Sequence, residues 1–154
     1  MTPRSEPPFR ADHVGSLLRP ERLLRAREQH AAGRLEAAEL RAVEDDAIRE
    51  AVRLQEDVGL QLATDGELRR TSWHMDFIYR LGGVAPVADA SIRLAFTNEQ
   101  GTQEFTTAAL RVHDRVRLEE TIFGDAFEHL RSVVSERQTP KLTIPSPSRR
   151  TSSA

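Results

Sequence analysis

The stretch GLQLATDGE, Gly59–Glu67, decides how the chain is read. Leu60 to Thr64 is a short apolar run without alternation, and Asp65-Gly66 closes it with a turn signal. A strand with that pattern is buried on both faces, as strands of parallel sheets are. Upstream, Glu36–Val58 places Leu40, Val43, Ala47, Ile48, Ala51, Leu54 and Val58 at steps of three and four. This spacing predicts one amphipathic helix, stopped by Gly59. Helix, glycine, short strand and acidic turn together make an α/β unit.

Working outward, Phe9–Ser16 (FRADHVGS) reads as a short strand closed by glycine and serine. Pro20 suits the first turn of a helix that continues over Glu21–Ala32, with Gly33 as its stop. Ser72 suits the cap of a helix through Leu81, ended by Gly82-Gly83. Pro86–Ala90 reads as loop. Ile92–Thr97 and Thr106–Leu118 read as strands joined hairpin-fashion around NEQGTQ. Glu119–Val134 reads as a helix with Ile122, Phe123, Phe127, Leu130, Val133 and Val134 on its apolar side. Lys141–Ile144 reads as a last short strand. The fold expected from this order is α/β, with about three or four β/α units. Residues 1–8 read as a flexible arm, 9–148 as the folded part and 149–154 as a disordered tail.

Composition narrows the function. With 154 residues, 38% hydrophobic and 30% charged, the chain is long enough for one domain with a core. A net charge of -2 argues against general nucleic-acid binding. No run is apolar enough to span a bilayer, and MTPRSEPPFRADH lacks the core of a secretory signal, so a cytoplasmic location is expected. The chain has no cysteine, which removes disulfides, thiolate nucleophiles and thiolate-bound metals.

In α/β proteins ligands bind at the C-terminal ends of strands. That rule selects His13-Val14-Gly15-Ser16, Asp65-Gly66-Glu67 and Pro145–Ser148. The glycines permit conformations and close approaches that a side chain blocks. The Ser16 amide could hold a carboxylate, and Glu67 an ammonium through a charge-assisted bond. Each segment also has a plain structural reading. Asp-Gly after a strand is commonly only a turn, and Trp73 reads as packing, with stacking on a flat ligand as the alternative. His74, beside Trp73 and near Asp76, reads as a surface residue before it reads as a base. His30, His113 and His129 read as solvent-facing. Glu44-Asp45-Asp46 reads as a solvated acidic face, and Arg69-Arg70 as partners of nearby acids or of an anionic ligand tail.

FRADHVGSLLRPERLLRAR, ELRAVEDDAIREAVRLQEDVGLQLATDGELRRTSWHMDF and PKLTIPSPS occur in this order. Together they resemble the cobalamin-independent methionine synthase family, in particular short relatives of its catalytic C-terminal barrel, over residues 9–148. The resemblance implies a partial TIM (β/α)8 barrel, roughly the first three or four β/α units, a zinc-dependent methyltransferase of the 5-methyltetrahydropteroyltriglutamate–homocysteine type, a methylated folate as methyl donor, and a thiol amino acid such as homocysteine as acceptor. It assigns substrate contact to Val14, Gly15, Ser16 and Glu67, where Val14 replaces the family's isoleucine. Asp65, His13 and Trp73 then stand behind these contacts. Arg111 falls near a folate-contacting segment. The family's zinc ligands (a histidine, a glutamate and two cysteines on later strands) have no counterpart here. The expectation is therefore a truncated N-terminal half, inactive alone, with a complementing C-terminal half or self-association. Alternatives are a non-catalytic interaction module and a zinc alkyl transferase acting on another thiol.

Overall fold

The computed structural model describes residues 13–98 and 101–146. In chain order the elements are α1 (Glu21–Ala31), α2 (Ala37–Asp57), β1 (Leu62–Ala63), α3 (Met75–Ile78), β2 (Gly82–Asn98), β3 (Gly101–Arg117), α4 (Gly124–Val133) and β4 (Thr139–Pro140). The chain divides into two compact units, Met1–Trp73 with Phe123–Ala154, and His74–Ile122.

The first unit is built round α2. Its N-terminus carries a capping box, in which the Glu36 and Glu39 side chains each take a backbone N–H of the other. Its core side buries Ala47, Ile48 and Val52 against Leu23 of α1, Ala63 of β1, Leu68 and Leu130 of α4. Leu40, Val43, Ala51, Phe127, Val133 and Val134 pack round that cluster. The expected face is therefore rotated near its end. Leu54 and Val58 are 60% and 66% exposed, and Val52 and Gln55 take the inward positions. β1 and β4 are parallel, in register Leu62↔Thr139 and Ala63↔Pro140. The ladder bonds are donated by Thr139 to the Gln61 carbonyl and by Lys141 to the Ala63 carbonyl, both at 2.8 Å. Pro140, which has no N–H, falls between the two donors.

The second unit is a long antiparallel hairpin, β2 with β3, preceded by one turn of helix. Its register jumps twice, between Gly82 and Val84 and between Pro86 and Ser91. Both are bulges. Gly83, at φ 82°, occupies the first, where a Cβ would lie 2.6 Å from the Arg115 carbonyl oxygen, so only glycine fits.

Several expectations are corrected. The described part of the proposed first strand, His13–Ser16, is not a strand, and residues 9–12 lie outside the described residues, as do the arm 1–8 and the tail 149–154. The helix expected from Ser72 shrinks to Met75–Ile78; its N-cap is His74, whose side chain makes no capping bond, and the chain enters β2 at Gly82. The expected loop Pro86–Ala90 lies inside β2, at its second bulge. The last helix starts at Gly124, because Phe123 adopts the left-handed conformation, φ 63°, which no α-helix interior admits. The last strand lies at Thr139–Pro140 and not Lys141–Ile144. Two small sheets are present and no closed barrel forms among the described residues.

Candidate functional site

The turn after β1 is assembled from its own side chains. Thr64 Oγ1 accepts the Gly66 N–H (3.2 Å) and Asp65 Oδ1 accepts the Glu67 N–H (2.9 Å). These bonds bend the backbone so that Gly66 and Glu67 are both left-handed, φ 62° and 55°. For glutamate that conformation costs on the order of 1 kcal/mol or more, and the surroundings hold it there. Thr64, Asp65 and Glu67 are all buried.

The segment before α1 lies against this turn. Leu17 donates its N–H to the Gly66 carbonyl (3.0 Å), and Leu17 Cβ lies 3.0 Å from where a Gly66 Cβ would stand. Ser16 Oγ donates to Glu67 Oε2 at 2.7 Å. The two segments selected from sequence are thus brought together through Ser16 and Glu67. Val14 points outward, 73% exposed, and Gly15 takes φ 104° between them. His13 is tied elsewhere. Its Nε2 meets Gln55 Oε1 at 2.6 Å, and its carbonyl accepts Lys141 Nζ. Trp73 is 40% exposed and its carbonyl accepts Arg70 Nη1 at 3.5 Å, so it supports Arg70 from the backbone side.

Glu67 is 2% exposed and faces one cation, Arg70, whose Nη1 lies 3.7 Å from Oε1. At that distance the pair attracts without a hydrogen bond. Among the described residues Glu67 Oε1 has no hydrogen-bond partner, and neither has Arg70 Nη2. The Arg70 guanidinium is itself held over the Phe123 ring, 4.1 Å from its centroid. Three backbone carbonyls of the turn are also occupied. Arg19 donates to those of Glu67 (3.4 Å) and Arg70 (2.7 Å), and Arg27 to those of Leu68 (2.6 Å) and Arg70 (3.1 Å).

Beneath the turn runs a second charge cluster, which corrects the reading of Glu44 and Asp45 as part of a solvated face, while Asp46 is exposed as that reading expects. Glu44 is buried and ion-paired to Arg27 (3.5 Å) and Arg69 (3.9 Å). Burial pushes its carboxyl above the ordinary range, against the pull of Arg27, Arg69 and Arg41. Asp45 pairs with Arg69, and His129 Nε2 lies 3.7 Å from it. His129 is therefore not solvent-facing. Burial holds its imidazole below the ordinary histidine value, opposed by Asp45. Arg69 and Arg70 both find acidic partners within the chain. Arg111 sits exposed on β3, opposite Ala85.

Sequence reasoning missed Gln55, Arg19 and Arg27. A signal existed for Gln55: a polar residue four and seven positions after Ala51 and Ile48, on the inward stripe of α2. The arginines carried none, since their partners are carbonyls whose positions only the fold sets.

The chain is a mixed α/β protein, and its buried carboxylate, stitched to a preceding Gly-Ser loop, stands at the strand end where α/β proteins as a class bind ligands. Comparison with known proteins adds detail. The chain is 41% identical over 148 residues to YxjG of Bacillus subtilis, an uncharacterized protein, across 94% of this chain and 36% of that one. It is 41% identical over 141 residues to the uncharacterized YxjH of the same organism, again across 36% of it. Its structure matches that of a Listeria monocytogenes protein assigned provisionally as a vitamin-B12-independent methionine synthase. The TM-score is 0.72 and the identity 34%, over 92% of this chain and 37% of that chain. A B12-independent methionine synthase from Shewanella sp. W3-18-1, in complex with selenomethionine, matches in fold alone, with TM-score 0.52 and 24% identity over 74% and 31% of the two chains. No family model matches. The chain spans about a third of the length of each of these proteins, and within that span it is methionine-synthase-like in structure. Among the described residues no helix is long and apolar enough to cross a membrane.

Proposed function

We propose that this chain is the amino-acid-binding part of a methionine-synthase-like S-methyltransferase, with a thiol amino acid such as homocysteine as ligand. One observation carries the reading: Glu67 is buried in a left-handed turn, with Oε2 engaged by Ser16 and Oε1 open to a donor. A buried acceptor without a donor is costly, about 1–3 kcal/mol or more when charged. An ammonium supplies both the hydrogen and the charge. The Gly15-Ser16 amides offer the carboxylate end its donors.

In this reading Glu67 anchors and does not move protons. Ser16 keeps the carboxylate aimed, and Arg70 offsets its charge while the site is empty. Zinc, which in the resembled family makes the thiol a thiolate, does not fit the residues present. The sequence has no cysteine, and among the described residues no group of three or more His, Asp or Glu could hold a metal. Methyl transfer from a methylated folate is proposed to need a complementing segment that brings the metal ligands.

Isothermal titration with L-homocysteine and L-methionine tests the reading. Binding is expected, and Glu67→Gln is expected to weaken it by about tenfold or more, the worth of a hydrogen bond to a charged group. Unchanged affinity in E67Q, no binding by the unaltered chain, or preference for 2-mercaptoethanesulfonate, which has no ammonium, would each overturn it.

A further inference from the structure

Gln55 reaches from the inner side of α2 to the end of β1, and every hydrogen-bonding valence of its amide is directed. Its Nε2 donates to the carbonyls of Ala51 and Thr64, both at 2.9 Å. Its Oε1 accepts the Thr64 N–H at 2.9 Å. Two carbonyl partners require the NH2 group on one side, and a backbone N–H requires the oxygen on the other, so the amide has one orientation only. The His13 ring meets that oxygen, Nε2 to Oε1 at 2.6 Å. An amide oxygen only accepts, so His13 must donate from Nε2. In a neutral imidazole, Nδ1 is then the bare acceptor. His13 Nδ1 is buried and has no hydrogen-bond partner among the described residues. Lys141 holds the His13 carbonyl, so backbone and ring are both fixed.

We infer that Gln55 is a positioning residue: it fixes His13 as the Nε2–H tautomer, so that Nδ1 accepts a hydrogen from the ligand held at Ser16 and Glu67. The ligand's identity rests on the reading above; the tautomer does not. The same amide pairs with Thr64 as a neighbouring strand would. It thereby sets the residue whose hydroxyl accepts the Gly66 N–H, and both halves of the site hang from one side chain.

The test is the 15N spectrum of the histidine rings at about pH 8, above the ordinary histidine range, with His13→Gln identifying the His13 signals. The unaltered chain is expected to show the proton on Nε2. Gln55→Met, which keeps length and loses the oxygen, is expected to release the tautomer into a mixture. Gln55→Glu, which keeps an acceptor, is expected to retain it. If Q55M does not fold, the unaltered chain and Q55E still decide. A proton on Nδ1 in the unaltered chain, or a Q55M spectrum identical to it, overturns the inference. L-homocysteine at saturation is then expected to move the Nδ1 resonance and leave Nε2 protonated, and His13→Phe to weaken binding by about tenfold. Binding with an unmoved Nδ1 refutes the acceptor role alone. Absence of binding refutes the proposed function and leaves the tautomer result to be judged on the spectra.

Discussion

Removing Arg70 probes the energetics of the turn most directly. Arg70→Met keeps a long apolar stem and deletes the guanidinium that faces Glu67 at 3.7 Å and stacks over Phe123 at 4.1 Å. Both charged side chains are nearly inaccessible, at 3% and 2%. Taking one partner from a buried ion pair costs about 3–5 kcal/mol, because the other charge stays buried alone. The separation here exceeds contact, which favours the lower end, and the lost stack adds about 1 kcal/mol. A loss of about 3–4 kcal/mol is expected for R70M. Glu67→Gln also leaves a charge without its partner, but Arg70 keeps the Phe123 ring and the Trp73 carbonyl and Ser16 keeps an acceptor, so a smaller loss of about 1–2 kcal/mol is expected. In the double variant Arg70's partner is already neutral, and the combined loss is expected to fall short of the sum by about 1–2 kcal/mol. The assay is urea unfolding followed by the fluorescence of Trp73, the sole tryptophan, in the same compact unit. A double-variant loss within about 0.5 kcal/mol of the sum would refute the coupling, and an R70M loss under about 1 kcal/mol would refute the buried-pair reasoning.

Four further outcomes are expected. Gly66→Ala should destabilise by about 1–3 kcal/mol, because φ 62° is strained for alanine and its Cβ meets Leu17 at 3.0 Å; Gly59→Ala, at φ 83° in open space, should cost less, and equal urea midpoints would contradict the close approach. Ile48→Ala, at a position with no exposed surface, should cost about 2–5 kcal/mol, and a thermal midpoint within a degree or so of the parent would remove it from the core. His129 has its proton affinity lowered by burial, so the unfolded chain binds that proton more readily; its share of stability is present above the ordinary histidine value and is lost as pH falls towards the folded value, a slope that His129→Gln should flatten. Glu44 is shifted the other way: its share is present below the ordinary glutamate value and is lost as pH rises through the raised one, and Glu44→Gln should abolish that trend in urea midpoints.

Much of the first unit was legible because its determinants are local. The steps of α2, the stop at Gly59 and the acidic turn after Ala63 are set by neighbours in sequence. Ser16 and Glu67, chosen from strand-end position, proved to be bonded to each other. What escaped was set at long range. Val52 joined the apolar cluster in place of Leu54 and Val58, and Gln55 took an inward position because the Thr64 backbone is its partner there. Pro86 and the residues after it look like a loop in sequence, and lie within β2 because pairing with β3 resumes at Ser91, the extra residues of β2 being taken up in the register shift. Glu44 looked solvated until the fold brought Arg27 and Arg69 to it.

The carbonyls of Glu67, Leu68 and Arg70 are all claimed by Arg19 and Arg27 before any ligand arrives. The turn therefore meets its entropy of ordering during folding and not during association. A small molecule docking there, as proposed, would immobilise itself and little of the protein, which would put its recognition in the lock-and-key regime, with speed governed by encounter more than by rearrangement.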